Sequence, residues 1–516
     1  MRLSVLYCDY VASGRALKFI EDYIRDEVLP AYANTHTTTS VTGLQTTLFR
    51  HEARSIIRDC VNAGEHDAVI FAGSGCTGAV HLLINSLTLS PVDESPIVIA
   101  GPYDHHSTLL PWREIASEVY QIGVTEEGSF DMGELHSVLK KLSGTDRKLI
   151  GCMSAASNIT GNMLPVDDIT ICLHKAGALV FWDYAMAAPY VELNMNPFRG
   201  GVVGDDQQYI YKDAMFISTH KFIGGPSTPG ILVAKKELFT NPVPSHAGGG
   251  TVFYVRREHH TYLKEIEVRE EGGTPDIIGS IRAGLVFQLK RSVGVSNIVN
   301  REKYLYAKAL AAWKDVEGLV ILGSRSADRL PVFSMMFRKG NKFLHHNYAA
   351  ALLDDVFGIQ SRGGCACAGP YAHNLLGINE ELAVVFEETL IEDSRLDRAH
   401  LRRTQEFSDK EILRPGFVRL NLPYFMTDEE VDFVIAAVKM VAADGWKLLP
   451  RYLFNPTTGE WKVRHHEVFE DRKWLGAISY TSGKMSFSYT NHSDTPAPNY
   501  QQTLEEAQKS CCLLLR

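Results

Sequence analysis

Short, continuous runs of apolar residues in the first half of the chain constrain its fold more than any other sequence feature. These runs occur at residues 68–72, 97–100, 148–152, 178–182, 215–218 and 230–234. A strand with one face in water alternates apolar and polar residues, whereas a strand buried on both faces is apolar throughout. Helical patterns, such as those at residues 79–87 and 132–142, lie between the runs. The sequence therefore predicts an α/β fold with a mostly parallel sheet covered by helices.

A long helical pattern divides the chain into two predicted domains. The pattern follows Gly272, with Thr274 as the expected N-cap and Pro275 as the first helical residue. We predict that this helix joins a large domain, residues 1–285, to a small domain, residues 286–450.

The second half of the chain also predicts the contents of the small domain. Strands are expected at residues 331–337 and 417–420, and a helix with a capping box begins at Thr427. Residues 380–410 are rich in charge and predict an exposed excursion. Residues 451–516 form an extension of unknown fold, which contains a turn at residues 455–459.

The charge and the cysteine content exclude several classes of protein. The chain of 516 residues carries 52 Lys and Arg against 61 Asp and Glu, so it lacks the basic field of a general nucleic acid binder. Asp9 interrupts the apolar N-terminus before a signal peptide could form, and no apolar run approaches the ~20 residues of a membrane span. The nine cysteines lack the spacing of a disulfide framework. We therefore expect a cytoplasmic protein with no nucleic acid or membrane partner.

A glycine-rich turn at residues 73–78 connects the first predicted strand to a helix. Gly75, Cys76 and Thr77 are small enough to let backbone N–H groups point at an anion, and the helix N-terminus adds its dipole. The turn matches neither a P-loop nor a complete dinucleotide-binding motif. It predicts either a phosphate site or only a tight turn.

Ionisable side chains follow two further predicted strands. Ser218 and His220 precede Lys221 just after one run, a place that suits a buried nucleophilic amine beside a phosphate group. Asp183 ends another run, where α/β sheets place their ligands, and a protonated pyridine nitrogen would balance its charge. The alternatives are a surface lysine and an aspartate that caps the next helix.

His105 and Asn158 also follow predicted strands. The imidazole of His105 could stack on an aromatic cofactor or bind a metal, although its neighbour His106 cannot easily face the same ion. The amide of Asn158 could donate to a phenolate oxygen or could simply form a turn.

A glycine-rich loop in the predicted small domain combines Arg362 with Cys365 and Cys367. An arginine offers a two-pronged donor for a substrate carboxylate, and cysteines beside it could act as thiolate nucleophiles. A zinc site would need two more ligands. The histidines that lie near in sequence are His345, His346 and His373. The Cys-x-Cys spacing matches neither a zinc ribbon nor a zinc finger, so zinc is the less favoured interpretation.

The order of these motifs along the chain resembles that of the class V aminotransferase family of pyridoxal phosphate (PLP) enzymes. A glycine-rich turn, a His, an Asn, an Asp, a Ser-x-His-Lys motif, Gly-Thr-Pro, and then Arg and Cys follow one another. The resemblance spans residues 7–440, and the most similar branch is the cysteine desulfurase and selenocysteine lyase group. It implies PLP fold type I, with a seven-stranded, mostly parallel sheet in the large domain and a smaller α+β C-terminal domain.

The resemblance implies a role for each residue near the cofactor. Lys221 would form the Schiff base with PLP, and Asp183 would pair with the pyridinium nitrogen. His105 would stack on the ring, and Asn158 would approach its phenolic oxygen. The residues implied at the phosphate are Gly75, Cys76, Thr77, Ser218 and His220, together with Gly273 and Thr274 of the partner subunit. The resemblance therefore implies a homodimer with shared active sites.

The resemblance also implies how a small amino acid substrate is handled. Arg419 would bind the substrate carboxylate, with Arg362 as a second candidate. Cys367 lies where cysteine desulfurases keep the cysteine that takes the sulfur as a persulfide, and a sulfur-acceptor protein would be a partner. Among the departures of this sequence from the family, Met186 stands in place of a frequent glutamine, Cys365 is an additional cysteine, and the segment between Cys367 and Arg419 is long.

Three functions stay open on these grounds. The first is a PLP enzyme that uses Cys367 to remove sulfur or selenium from a small amino acid and leaves alanine. The second keeps PLP but performs transamination, epimerisation or kynureninase-like cleavage, with Cys367 dispensable. The third is a non-catalytic scaffold whose C-terminal extension, with Cys365 and Cys367, binds a partner or a metal.

Overall fold

The structure is a computed structural model that describes residues 5–35, 37, 39–89, 95–198, 205–325, 328–390, 410–464, 474–481, 483–487 and 498–513. The first part of the chain forms, in order, β1 (Leu6–Tyr7), α1 (Lys18–Tyr23), α2 (Val41–Cys60), β2 (Asp67–Ala72), α3 (Gly75–Ser86), β3 (Ile97–Ala100), α4 (His106–Ile115), β4 (Glu118–Gln121), α5 (Met132–Lys141), β5 (Leu149–Ser154), α6 (Val166–Lys175), β6 (Leu179–Asp183), β7 (Ala214–Ser218), β8 (Gly230–Lys235), β9 (Val252–Val255), β10 (His260–Tyr262), α7 (Ile266–Arg269) and α8 (Ile277–Val293).

The remainder forms α9 (Val295–Trp313), β11 (Leu319–Ile321), β12 (Val332–Lys339), β13 (Lys342–Phe343), α10 (His346–Phe357), β14 (Ile359–Gln360), β15 (Arg362–Gly364), α11 (Gly369–Leu376), α12 (Glu380–Leu390), β16 (Phe417–Asn421), α13 (Asp428–Asp444), β17 (Tyr452–Phe454), β18 (Trp461–Val463) and α14 (Tyr500–Leu513).

A seven-stranded sheet forms the centre of the large domain, with the order β2-β8-β7-β6-β5-β3-β4. The pairs from β4 to β7 are parallel, and β8 runs antiparallel to both β7 and β2. The α/β fold and the mostly parallel sheet are therefore confirmed. Each predicted apolar run is a strand of this sheet. The remaining strand, β4, was not predicted, because it is a partly exposed edge strand with the mixed sequence Glu-Val-Tyr-Gln.

Side chains from alternate positions of each strand enter different hydrophobic clusters. Val69 and Ile99 belong to one cluster, whereas Ile70 and Val98 belong to another. Successive side chains of a strand point to opposite faces of a sheet. Because helices cover both faces, every position in these strands favours an apolar residue, which explains the continuous runs.

Helix α8 begins later than the sequence suggested. Its N-cap is Asp276, whose Oδ1 accepts a hydrogen bond from the Gly279 N–H at 2.8 Å. The predicted N-cap, Thr274, is therefore wrong, because the carboxylate of Asp276 occupies the capping position and Pro275 lies outside the helix. The domain boundary predicted after residue 285 falls inside α8, and α9 follows directly after Gly294.

The small domain is built on the antiparallel sheet β11-β12-β16-β15. Helices α9, α10 and α13 contribute Leu305, Leu352 and Val434 to its core. The predicted capping box of α13 is confirmed, since the Thr427 side chain and Glu430 exchange hydrogen bonds with each other's backbone N–H. The sheet brings β15 and β16 side by side, with Arg362 opposite Arg419.

The N-terminal segment connects the two domains. Strand β1 pairs in parallel with β14 of the small domain, through Leu6 opposite Ile359. A few residues later, the Gly14 N–H donates to the carbonyl of His220, at 2.7 Å, in the turn that carries the predicted Schiff-base lysine. The segment between these two contacts therefore lies beside the cleft between the domains.

The C-terminal extension packs against the small domain. Strands β17 and β18 form a hairpin, and residues 455–459 form its turn as predicted. Helix α14 buries Ala507 and Cys511 in the small-domain cluster. Helix α12 is mostly exposed, and the rest of the predicted excursion, residues 391–409, lies outside the described residues. None of the helices in the described ranges has both the length and the apolar character that crossing a membrane requires.

Candidate active site

A cavity of about 240 Å³ lies at the carboxyl ends of the central strands, where β5, β6 and β7 contribute Ser154, Asp183 and Ser218 to its wall. The edge formed by the strand ends is where α/β sheets bind ligands. The structure brings together most of the predicted site residues in this wall, namely Gly75, Cys76, Thr77, His105, Asn158, Asp183, Ser218, His220, Lys221, Arg362, Cys367 and Arg419.

Gly273 and Thr274 are the predicted site residues that lie outside this wall. Their neighbours Gly272 and Pro275 line a separate depression of about 750 Å³. Ser74, at the start of the glycine-rich turn, borders both the depression and the cavity. Their predicted contribution to the site of a partner subunit stays a prediction.

Lys221 and Asp183 face the same cavity. Lys221 ends a 3₁₀ turn, Thr219–Lys221, directly after β7. Burial lowers the pKa of the Lys221 amine, and the nearby charge of Asp183 acts in the opposite direction. The lysine amine is therefore easier to deprotonate than an exposed one, which suits a nucleophile.

Asp183 is held by two hydrogen bonds. Its Oδ2 accepts from the Thr108 hydroxyl at 2.5 Å, and its Oδ1 accepts from the Ala185 N–H at 2.7 Å. The second bond closes a local turn, but the described residues 184–198 after β6 contain no helix, so the alternative that Asp183 caps the next helix is wrong. Sequence reasoning missed Thr108, because the sequence gives no signal that joins it to a residue 75 positions away.

His105 is both the N-cap of α4 and part of the cavity wall. Its Nδ1 accepts from the Ser107 N–H at 3.1 Å, which leaves the proton of the neutral ring on Nε2. Burial, assisted by the charge of Lys221, lowers the pKa of His105 to about 4. At neutral pH the His105 ring in the cavity wall is therefore uncharged.

The glycine-rich turn and the residues after β7 form a small cradle. Gly75 has φ +59°, and a Cβ there would lie 3.1 Å from both Ser218 Oγ and His220 Cε1. The Cys76 N–H donates to Ser218 Oγ at 2.9 Å, and Thr77 Oγ1 donates to Ser107 Oγ at 2.7 Å. Because α3 begins at Gly75, the cradle combines a helix N-terminus with hydroxyl groups, the usual features of an anion site.

Arg419 is buried at the side of the cavity and keeps one donor unused. Its Nη1 donates to the carbonyl of Asn158 at 3.0 Å, and its Nη2 donates to Asp9 Oδ1 at 2.6 Å. Its Nε has no hydrogen-bond partner among the described residues. A buried N–H without a partner is costly, so this edge of the guanidinium suits an anionic ligand. Asp9 is a further residue whose position the sequence did not indicate.

Cys367 and Cys365 have different surroundings. Cys367 is exposed and lines the cavity, whereas Cys365 is half-buried and packs against the large-domain cluster. The third thiol in this region, Cys76, is buried, and burial together with the charge of Asp183 raises its pKa well above the usual range. Of the two thiols in the cavity wall, Cys367 is therefore the exposed one and Cys76 the buried one.

The loop that carries Cys367 has an unusual backbone. Ala366 and Cys367 have φ values of +56° and +57°, a region that residues other than glycine rarely adopt. The carbonyl of Ala366 accepts from Asn158 Nδ2 at 2.6 Å, and that of Cys367 accepts from the His106 N–H at 3.0 Å. These bonds hold the loop against the large domain.

The structure also bears on two further points of the sequence analysis, the replacement of a family glutamine by Met186 and the less favoured interpretation of a zinc site. Met186 lines the cavity, so the family glutamine is replaced by a side chain without a hydrogen-bond donor. Within the described residues no group of three or more His, Cys, Asp or Glu side chains is arranged to hold a metal ion.

Comparisons with known proteins agree with this geometry. The probable cysteine desulfurase of Halalkalibacterium halodurans is 26% identical over 374 residues, which cover 71% of this chain and 84% of that protein. The cysteine desulfurase of Dickeya dadantii is 26% identical over 368 residues, which cover 70% of this chain and 83% of that protein.

Solved structures share the fold. The apo structure of a cysteine desulfurase from Thermococcus onnurineus aligns with a TM-score of 0.67 at 22% identity, covering 86% of this chain and 99% of that one. A NifS-like protein from Rickettsia africae aligns with a TM-score of 0.62 at 17% identity, covering 85% of this chain and all of that one. The expected PLP fold type I is therefore confirmed. The family model described as aminotransferase class-V matches residues 6–434, which include every residue of the cavity wall. The chain therefore belongs to the aminotransferase class-V family of PLP-dependent enzymes.

Proposed function

We propose that this protein is a cysteine desulfurase-type enzyme that removes sulfur, or selenium, from a small amino acid and leaves alanine. The observation that carries the proposal is the position of Cys367, an exposed thiol in the wall of a cavity that also contains Lys221, Asp183 and Arg419. The similarity to the probable cysteine desulfurase of Halalkalibacterium halodurans and the cysteine desulfurase of Dickeya dadantii supports the same reaction.

The residues of the cavity fit PLP. The cradle at Gly75 leaves space where a Cβ would crowd Ser218 and His220. Lys221 would hold the cofactor covalently, and Asp183 would accept from its ring nitrogen. His105 would stack on the ring, and Asn158, whose Nδ2 also donates to the carbonyl of Ala366, would donate to its phenolic oxygen. When bound, PLP supplies an electron sink that stabilises negative charge on the substrate.

The residues at the phosphate include a contribution from a second subunit. Gly75, Cys76, Thr77, Ser218 and His220 would hold the phosphate, with Gly273 and Thr274 of the partner subunit. The supporting observation is that Gly272 and Pro275, beside these two residues, line a depression that shares Ser74 with the cavity. A homodimer would bring the two surfaces together. The proposed dimer would be contradicted if the protein sediments as a monomer and that monomer binds PLP with full affinity.

The chain's own residues divide the work on the substrate. Arg419 binds the carboxylate through its free Nε edge, and Arg362 on the neighbouring strand is the second candidate. Lys221 carries protons at Nζ, because burial lowers the pKa of this amine. Cys367 Sγ attacks the substrate sulfur, the C–S bond breaks, and its electron pair stays with the carbon that becomes the methyl group of alanine. The sulfur remains on Cys367 as a persulfide and passes to an acceptor thiol.

Substitution of the two loop cysteines tests the proposal. The purified protein, loaded with PLP, is given cysteine and a reducing thiol, and alanine and sulfide are measured. We expect Cys367→Ala to lower both rates about a hundredfold or more, because the nucleophile is lost. Cys365→Ala is the matched control and should keep most of the activity. Lys221→Ala should lose the absorption band of the lysine-bound cofactor.

The same measurements separate the alternatives. Alanine release by Cys367→Ala at the parental rate would contradict the desulfurase proposal. Turnover of an amino acid without a thiol, with Cys367 dispensable, would favour transamination, epimerisation or kynureninase-like cleavage. The absence of any cofactor band would favour the scaffold.

A further inference from the structure

The C-terminal extension reaches the back of the loop that carries Cys367. Asn347, in the first turn of α10, donates from Nδ2 to the carbonyl of Gly459 in the turn of the β17–β18 hairpin, at 2.8 Å. The Oδ1 of the same side chain lies so close to Gly363 that a Cβ there would overlap with it. One side chain therefore touches both the extension and β15, the strand that leads into the loop.

His345 fixes the hairpin on the same side. Its Nδ1 accepts from the Trp461 Nε1–H at 3.2 Å and from the Asn347 N–H at 3.1 Å. Since both bonds need the lone pair of Nδ1, the proton lies on Nε2, which donates to the carbonyl of Ile412 at 2.9 Å. All three bonds are satisfied by one neutral ring, so His345 holds the hairpin and residue 412 in a single arrangement.

The hairpin turn also contacts the segment that leads into β16. The Ile412 N–H donates to the carbonyl of Pro456 at 3.0 Å. Four residues later, a Cβ at Gly416 would lie 2.9 Å from both His346 Cε1 and Gly364 Cα. The extension therefore contacts the segment that leads into β16, which carries Arg419, and reaches β15, which precedes Cys367, through Asn347.

The loop itself depends on its surroundings. A backbone with Ala366 and Cys367 in the left-handed region persists only where neighbouring contacts hold it. Asn158 and His106 hold the loop at these residues, and Asn347 supports the strand that precedes it.

We propose that the β17–β18 hairpin is a positioning element, which sets the place of the Cys367 thiol through the contact of its turn with Asn347 and of Trp461 with His345. Asn347 and Trp461 are positioning residues, because neither touches the reacting atoms: Asn347 acts through β15, and Trp461 acts through His345 and the segment that leads into β16. The expected effect on activity rests on the proposed function of Cys367, whereas its expected effect on the reactivity of the thiol does not.

The rate at which iodoacetamide alkylates Cys367 tests the proposal. The full chain, loaded with PLP, is alkylated for increasing times, and each cysteine peptide is quantified by mass spectrometry. Asn347→Ala should raise the rate at Cys367 about fivefold, the change expected from loss of one hydrogen bond that holds the strand. Cys172, on α6 of the large domain, is the internal reference and should not change.

Two further variants make the test specific. Asn297→Ala is the matched control, since Asn297 also donates from Nδ2 to a backbone carbonyl, that of Val293, but is exposed on α9. Trp461→Phe keeps an aromatic ring and removes only the indole N–H, so it tests the contact if Asn347→Ala does not fold. With cysteine as substrate, both positioning variants should lower kcat about fivefold and leave KM and the cofactor band unchanged.

The alkylation rates of these variants either support or overturn the positioning role. An alkylation rate at Cys367 in Asn347→Ala and Trp461→Phe equal to that of Asn297→Ala overturns the proposal. A parallel rise at Cys172 also overturns it, because the variant then loosens the whole protein. If the parent protein releases no sulfide from cysteine but Asn347→Ala still exposes Cys367 selectively, the positioning role stands and the proposed function fails.

Discussion

The ion pair between Asp9 and Arg419 gives a stability prediction that can be worked from the structure. Arg419 Nη2 lies 2.6 Å from Asp9 Oδ1, and the two side chains are 3% and 15% exposed. Asp9→Asn keeps an oxygen that can accept from Nη2 but removes the negative charge. Removing one partner of a buried ion pair costs about 3–5 kcal/mol, because the other charge is left uncompensated.

We expect the lower end of this range, about 3 kcal/mol, because Asp9 keeps some contact with water and the Asn158 carbonyl still accepts from Nη1. For a chain of 516 residues such a loss lowers the melting temperature by roughly 3 °C. The assay is thermal unfolding followed by circular dichroism at neutral pH. Asp22→Asn is the matched control, since Asp22 pairs with Lys18 and Arg25 at the surface and should melt like the parent.

A double-mutant cycle tests whether the lost ion pair causes the lower melting temperature. In an Arg419→Met background the buried charge is already absent, so Asp9→Asn should lower the melting temperature by only about 1 °C. Two results would contradict this explanation. Either Asp9→Asn has the same melting temperature as Asp22→Asn, or Asp9→Asn lowers the melting temperature as much in the Arg419→Met background as in the parent. In both cases the ion pair is not what stabilises this part of the protein.

Two more predictions follow from the cavity wall. Gly75→Ala should weaken PLP binding about tenfold in a spectral titration, because φ +59° disfavours alanine and its Cβ would crowd Ser218 and His220; an affinity equal to that of the parent would contradict the cradle. The pKa of His105, about 4, lies below the value of about 6.5 for an unfolded histidine, so the unfolded chain binds this proton more readily and the native state loses stability as the pH falls from about 6.5 towards 4. His105→Asn keeps an acceptor for the Ser107 N–H but cannot titrate, so its melting temperature should fall less between pH 7 and pH 5 than that of the parent; an equal fall would refute the assignment.

Local patterns in the sequence were enough to predict much of the fold. Burial on both faces makes a strand apolar throughout, so the central strands were visible in the sequence, whereas the edge strand β4 was not. The Thr427 capping box is visible because its partners are three residues apart. Capping also explains the error at α8, where Thr274 and Asp276 are both good caps and only the backbone path decides between them.

The residues of the candidate site also fall into those that the sequence indicates and those that only the structure shows. Residues such as Lys221 and Asp183 could be singled out because each directly follows a buried strand, and parallel strands end at one edge of the sheet. The partner of Arg419 could not, since Asp9 is 410 residues away in the chain. The sequence also left open which cysteine faces the cavity, because residues 365 and 367 have similar neighbours.

The amino-acid sequence by itself determined the type of fold, the order of the motifs and the identity of the residues that meet at the sheet edge. Only the tertiary structure decided which polar groups are paired, that Cys367 rather than Cys365 is exposed, and that the hairpin of the C-terminal extension contacts Asn347 beside the strand that leads into the cysteine loop. The physical reason is the distance along the chain over which each kind of interaction acts. Periodicity and capping involve residues that are only a few positions apart, so they can be recognised in the local sequence. A hydrogen bond between side chains that are distant in the sequence depends on how the whole chain folds.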